Sequence, residues 1–256
     1  MNLIGTEFED GVLTVTLRDE ENRNALSAEL TSELSQTLDE AESNSEVRVI
    51  VLTNSGRVFC AGADLSERSS RKKNKSQTKP VDPSEIFSRF RKSSKPYIGK
   101  ITGHCVAGGM GIAAAMDISI AIEEAKFGFT EVRIGVAPAM ISVLCLPKMR
   151  SAEASEAFLR GNRFSASEAA RMGLINAAVP ANEIDSAVQE VVSDIKAGGP
   201  EAIAAAKQLI LRVPQMQLDE AFNWTSELSS NLFRSEEAKE GMKAYLDKRP
   251  PSWMNE

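Results

Sequence analysis

Two short segments place unusually small residues where a chain could do chemistry with its backbone. In "HCVAGGMGIAAAMD" (His104 to Asp117), Gly108, Gly109 and Gly111 occupy three of four positions at the mouth of an alanine-rich, helix-forming stretch. A glycine weakens a helix by about 1 kcal/mol relative to alanine, so the cluster needs a local reason: a turn, or a body that must touch the backbone. In "RVFCAGADL", Ala61, Gly62 and Ala63 follow a strand-like run and precede Asp64. Both corners lead into expected helices. Free N–H groups at a helix start carry positive partial charge and suit an oxygen that becomes negative during a reaction. If the fold brings the Ala63 and Gly108 amides together, they form a two-donor oxyanion hole, in which losing one donor typically costs roughly 2.7–4 kcal/mol of transition-state stabilisation. Each corner alone is more often a packing turn than a catalytic one, and neither has GxGxxG or P-loop spacing.

The elements that must hold these corners can be read from periodicity. "GVLTVTL" (Gly11 to Leu17) alternates and "VRVIVLTN" (Val47 to Asn54) is a continuous apolar run, so both predict strands. Between them Leu26, Leu30, Leu34, Leu38 and Ala41 recur at helical spacing behind Ser27 as a cap. This β, α, β order predicts an α/β fold with parallel strands. A polar, lysine-rich stretch from Glu67 to Pro80 reads as a loop, followed by a helix from Pro83 to about Lys92 and strands at "YIGKITG" and "ISIAI". Ser165 and Glu168 have capping-box spacing, and Gly173 can take the left-handed stop. Pro200 suits a first helical turn, and further helices are expected near Leu218 to Phe233 and Glu236 to Asp247. The division expected is an α/β core over 1–195 and a helical C-terminal section over 196–256.

The 256 residues can bury a substantial core, and the net charge of −6 argues against nucleic acid as the main partner. Three widely spaced cysteines, Cys60, Cys105 and Cys145, form neither a disulfide framework nor a zinc pattern, and no carboxylate cluster has metal-ligand spacing. The N-terminus lacks a signal-peptide pattern, and the longest apolar run is broken by Asp117 and diluted by glycine. A cytoplasmic protein without metal or membrane is the expectation.

In combination, "RNALS" (Arg23 to Ser27), "FCAGADL" (Phe59 to Leu65), "GHCVAGGMGIAAAMDISIA" (Gly103 to Ala121), "AKFGFTEVRIGVAP" (Ala125 to Pro138), "GNRFSASEAARMGLIN" (Gly161 to Asn176) and "GMKAYLDKRPP" near the end resemble the crotonase superfamily of enoyl-CoA hydratases and isomerases, nearly end to end. The resemblance implies a spiral of repeated ββα units with a helical C-terminal section, assembled as a homotrimer or hexamer. It implies an acyl-CoA thioester substrate, with CoA part of that substrate and no separate cofactor. Ala63 and Gly108 match the residues whose amides hold the thioester oxygen. Ala25, Leu26, Ala61, Asp64 and Leu65 match the adenine and pantetheine region, while Tyr245 and Lys248 match a C-terminal pair that in relatives reaches CoA, often a neighbour's. For Asp64 a plain helix cap, and for Lys248 a solvated lysine, are the competing readings.

Hydratases of this superfamily use two glutamates. The second matches Glu131, whose carboxyl beside an apolar acyl pocket would have a raised pKa and serve as acid or base; the competing reading is a surface glutamate beside Arg133. The first falls on Gly111, which either opens space or marks lost chemistry. Three functions follow: hydration of an enoyl-CoA by Glu131 alone, especially a branched or carboxylated one such as 3-methylglutaconyl-CoA; double-bond isomerisation with Glu131 as sole base; or acyl-CoA binding without turnover. His104, the only histidine, is read as structural or pocket-lining, the cysteines as packing, and Met110, Met116 and Met140 as filler. Arg71, Lys72, Lys73 and Lys75 read as a solvated loop, with CoA phosphates as the alternative partner.

Overall fold

The structure is a computed structural model that describes residues 2–69 and 81–254. Among the described residues ten strands form two sheets. The larger runs in the order β1 (Ile4–Glu9), β2 (Val12–Leu17), β3 (Val49–Asn54), β5 (Tyr97–Ile101), β7 (Ile118–Ile122), β10 (Ala177–Val179), and the smaller in the order β4 (Val58–Cys60), β6 (His104–Val106), β8 (Lys126–Gly128), β9 (Phe164–Ser165). From β2 onward the larger sheet is parallel, and only the β1/β2 hairpin is antiparallel. In the smaller sheet β4, β6 and β8 are parallel and β9 closes it antiparallel.

The chain alternates between the sheets. After α1 (Ala28–Ser43), β3 is followed by β4, α2 (Leu65–Ser69) and α3 (Pro83–Lys92); β5 is followed by β6 and α4 (Gly108–Ala115); β7 is followed by β8. Each turn thus lays one strand in each sheet, which is the ββα spiral that the resemblance implies. Between β8 and β10 lie α5 (Ala139–Cys145), α6 (Ser151–Arg160) and α7 (Ala166–Arg171), and the chain finishes with α8 (Ile184–Ala197), α9 (Pro200–Arg212), α10 (Leu218–Arg234) and α11 (Glu236–Asp247).

Strand β3 is buried on both faces because the larger sheet is covered on both. Ile50 and Leu52 join Leu30, Leu34 and Leu38 of α1 in the main core, while Val49 and Val51 pack with Ile184, Val188 and Val192 of α8 on the other side. The expected caps are present: the Ser27 hydroxyl accepts from the Leu30 amide, Ser165 and Glu168 form a reciprocal capping box, and Gly173 is left-handed at φ 85°. The stretch read as a loop from Glu67 begins instead inside α2, which extends to Ser69, capped by Asp64. Arg71, Lys72, Lys73 and Lys75 lie outside the described residues. Helix α8, whose apolar face completes the outer layer, went unread because its polar face, "DSAVQEVVSD", dilutes the apolar spacing.

One buried polar residue fixes how the chain enters α1. Asn24 is fully buried and left-handed at φ 50°, a conformation asparagine tolerates better than most residues. Its Oδ1 accepts from the Asp19 amide at 2.7 Å and its Nδ2 donates to the Val58 carbonyl at 2.7 Å, tying the approach to α1 onto β4. Replacing Asn24 with Ala removes both bonds and leaves the partly buried Asp19 N–H and Val58 C=O without this partner, and is expected to lower stability by about 1 kcal/mol in chemical denaturation. An unchanged midpoint would show that water replaces both bonds.

Candidate active site

Strands β4, β6 and β8 lie side by side and parallel, so their carboxyl ends open at one edge of the smaller sheet. The first corner leaves β4 at Cys60, the second leaves β6 at Val106, and Glu131 follows three residues after β8 ends at Gly128. A segment of three residues spans at most about 10 Å, so topology alone holds Glu131 near the second corner.

The two corners touch. Gly62 is left-handed at φ 88°, and a Cβ added there would lie 2.7 Å from the Gly108 nitrogen and 2.7 Å from the Ala107 Cβ. A Cβ on Gly108 would stand 3.2 Å from the Gly62 Cα and 3.6 Å from the Ala63 nitrogen. Gly109 lets α4 settle onto β4, since a Cβ there would fall 2.5 Å from the Cys60 carbonyl oxygen. The amides of Ala63 and Gly108 donate to no acceptor among the described residues. No side chain caps the N-terminus of α4, and its cap residue, Ala107, adopts φ 49°, ψ −125°, a region that costs a residue with a Cβ of order 1–3 kcal/mol. That strain is held in place by the Ala107 amide, which donates to the Gly128 carbonyl at 3.0 Å. Two adjacent, unspent N–H groups on a fixed backbone are what an oxyanion hole requires.

The segment read as a CoA surface assembles around this corner. The Leu26 amide donates to the Gly62 carbonyl at 2.7 Å, Leu26 and Ala63 form a parallel bridge, and the Ala61 amide donates to the Arg23 carbonyl at 3.1 Å. Ala25 is buried, Leu26 and Ala61 are half-buried, and Leu65 is exposed beside them. Asp64 is the helix cap of the competing reading: Oδ1 accepts from the Ser66 amide and hydroxyl, and Oδ2 accepts from Asn22 at 2.9 Å. Burial pushes its pKa up, but these hydrogen bonds outweigh it and hold the carboxyl below the ordinary range. Tyr245 and Lys248 are exposed at the end of α11, and neither hydrogen-bonds to the corner.

Glu131 sits in a 3-10 turn (Thr130–Ile134) that ends at left-handed Gly135. Its Oε2 is buried and has no hydrogen-bond partner among the described residues, and desolvation raises its pKa. It is not paired with Arg133, whose Nε donates to the Arg160 carbonyl at 3.1 Å. An unmet buried carboxylate oxygen is costly in a resting protein and useful to one that moves protons.

Gly111 opens no space. A Cβ there would lie 2.5 Å from Ile141 Cγ2 and 3.1 Å from the tip of Phe87, so hydrocarbon from α5 and α3 fills the place where a side chain would project. His104 lies at the start of β6, the opposite end of the strand from the corner; its Nδ1 accepts from the Lys126 amide, and burial together with Arg163, Arg57 and Lys126 lowers its pKa. The three cysteines are buried and free. Burial pushes Cys60 and Cys145 up to about 12 and Cys105 well above its usual value, so none is a nucleophile near neutral pH. Sequence reasoning missed Asn24 and Ala107. The first had a signal in an asparagine entering a turn, whereas the strain at an alanine has none.

No helix among the described residues is long and apolar enough to cross a membrane, and no group of His, Cys, Asp or Glu among them could hold a metal.

Residues 7–256 match the enoyl-CoA hydratase/isomerase family. The chain is 31% identical over 251 residues to the short-chain-enoyl-CoA hydratase of Clostridium acetobutylicum, covering 97% of this chain and 96% of that protein. It is 31% identical over 249 residues to the (E)-benzylidenesuccinyl-CoA hydratase of Thauera aromatica, covering 96% and 97%. The crystal structure of enoyl-CoA hydratase from Bacillus anthracis superposes with a TM-score of 0.89 at 28% identity, covering 99% of this chain and 100% of that one.

The packing at Gly111 predicts that Gly111→Ala destabilises the protein despite alanine's better helix propensity. Truncating the obstruction should cancel the penalty, so a double-mutant cycle with Ile141→Ala is expected to show a favourable coupling of about 1 kcal/mol or more. Additive effects in denaturant titrations would show that Ile141 does not fill the site.

Proposed function

Because the chain belongs to the enoyl-CoA hydratase/isomerase family, we propose that it adds water across the α,β double bond of an enoyl-CoA, with Ala63 and Gly108 as the oxyanion-hole residues and Glu131 as the only acid/base. The observation that carries this reading is the buried, unpartnered Oε2 of Glu131 on the segment that leaves β8, the strand paired with the β6 strand that leads into Gly108. The thioester carbonyl accepts from both amides. Water attacks the β carbon as Glu131 takes one of its protons, and the electron pair of the double bond shifts onto the thioester oxygen as an enolate. Glu131 then returns that proton to the α carbon, the enolate collapses to the thioester, and the net change is the addition of one water. Desolvation suits Glu131 to both halves, because a carboxyl with a raised pKa gives and takes a proton more evenly near neutral pH.

With hydrocarbon at Gly111, one anchor for the attacking water is absent. A branched or carboxylated acyl group, of which 3-methylglutaconyl-CoA is the named candidate, supplies part of that positioning itself. The likeness to a hydratase named for (E)-benzylidenesuccinyl-CoA supports this finer assignment. CoA lies along Ala25, Leu26, Ala61, Asp64 and Leu65, Asp64 acting by capping α2 beneath it. Tyr245, 83% exposed, and Lys248 reach the CoA of a neighbouring copy in a trimer or hexamer built on the helical section over 196–256.

The filled position at Gly111 also favours a second reading, isomerisation, in which Glu131 moves a proton between the α and γ carbons and no water is activated.

Both are tested by mass-resolved product analysis with straight-chain 2-enoyl-CoA, 3-enoyl-CoA and 3-methylglutaconyl-CoA, using Glu131→Gln as control. The expected result is a gain of one water, fastest with 3-methylglutaconyl-CoA and reduced at least about a hundredfold in the variant. Bond migration without a mass change would transfer the assignment to isomerase. Binding of the esters without turnover, at equal affinity in both proteins, would make this an acyl-CoA-binding homologue.

A further inference from the structure

The far end of α4 carries a second cluster of charge, distinct from the oxyanion corner and from Glu131. A cavity of about 110 Å³ there is lined by Ala114, Ala115 and Met116 at the end of α4, and by Arg91, Lys148, Asp117 and Lys207. At roughly 30 Å³ per water, it has room for a few waters or for one carboxylate or phosphate group.

The charges do not balance. Lys207 is 8% exposed and has spent its ammonium: it donates to Asp117 Oδ2 at 2.7 Å, the Lys95 carbonyl at 2.6 Å and the Phe90 carbonyl at 3.2 Å. Asp117, the only carboxylate in the lining, is taken up by Lys207 and by the Tyr97 amide, which donates to the same oxygen at 2.8 Å. Lys148 makes one bond, to the Met116 carbonyl at 3.2 Å, and keeps two N–H donors. Arg91, in the last turn of α3, makes no hydrogen bond or ion pair among the described residues and keeps all its donors. Arg91 and Lys148 line the same cavity, and burial, then the neighbouring Arg91, lower the Lys148 pKa while Asp117 partly offsets them. Among the described residues three cations, two of them with free donors, thus share one carboxylate on one small cavity, an excess of positive charge that an incoming anion would relieve.

We propose that this cavity is an oxyanion site in which Arg91 and Lys148 together bind a carboxylate or phosphate group. Arg91 supplies a planar fork and Lys148 a compact charge, which suits a group with two or three equivalent oxygens better than a halide. Met116 lies eight residues beyond Gly108, so the site stands about 12 Å along α4 from the oxyanion corner. A free small anion fits it, and so does the carboxylate at the end of an acyl chain. The site does not depend on what reaction Glu131 performs.

The test is calorimetric titration of the full-length protein with inorganic phosphate at constant ionic strength, beside Arg91→Gln and Lys148→Met. The expected result is saturable binding that weakens at least about tenfold in each variant, the effect of losing one charge-assisted pair. Arg91→Gln removes no internal hydrogen bond, so it remains informative if Lys148→Met, which uncaps α4, fails to fold. No saturable heat, or equal phosphate affinity in Arg91→Gln, would overturn the proposal and leave these cations as neighbours of a helix end. A second arm separates the sources. Phosphate that competes with an enoyl-CoA bearing a terminal carboxylate, but not with its uncharged counterpart, identifies the acyl chain as ligand; phosphate that competes with neither identifies a free ion. Equal competition against both esters would place phosphate on the CoA surface instead and refute the assignment to this cavity.

Discussion

The contact between Gly62 and the start of α4 is the constraint on which the rest of the site depends. With 2.7 Å between a would-be Cβ of Gly62 and the Gly108 nitrogen, only glycine lets the two corners meet. The positive φ of Gly62 makes the same demand independently. Once they meet, the Ala63 and Gly108 amides are fixed by backbone alone, without a side chain that could rotate away. The strained Ala107, the hydrogen-bonded Asn24 and the Leu26–Gly62 bond all hold this junction closed. Preorganisation of this kind is what makes donors effective against charge that develops only in the transition state.

The spiral explains why chemistry collects there. Three parallel strands of one small sheet release their chains at the same edge, so β4 brings one amide, β6 the other and β8 the carboxylate. None of the three is near another in sequence, and each is delivered by a separate turn of the spiral. The same geometry disqualifies His104, which enters at the other end of β6. Helix α4 then separates two kinds of charge: its open N-terminus faces the corner, and its C-terminal carbonyls face Lys148 and the cavity beyond.

Much of this was legible in the chain. Strand β3 announced its burial on both faces by an unbroken apolar run, and Ser165 with Glu168 spelled out a cap by spacing alone. The small residues of both corners signalled that backbone matters there. What spacing could not supply was their meeting, which depends on pairing between β4 and β6, strands of three residues too short to carry a period. Nor could it show that the space at Gly111 is taken by Ile141, because that residue arrives from α5, thirty positions later. The shielding of Glu131 is likewise a property of its surroundings, whereas its own neighbours in sequence, Val132 and Arg133, say only that it lies in an amphipathic segment.

The central claim is that two backbone amides polarise a thioester oxygen while one glutamate moves the proton. The most direct measurement is the infrared carbonyl frequency of an enoyl-CoA bound to the Glu131→Gln variant, which retains the corner and is expected to turn over at least about a hundredfold more slowly. The account predicts a shift of the thioester carbonyl to lower frequency than in water, as two preorganised donors require, and the loss of that shift when Gly62→Ala is added. A bound ester with an unshifted carbonyl would contradict it, because the corner would then be a packing device and Glu131 would have no polarised substrate to act upon.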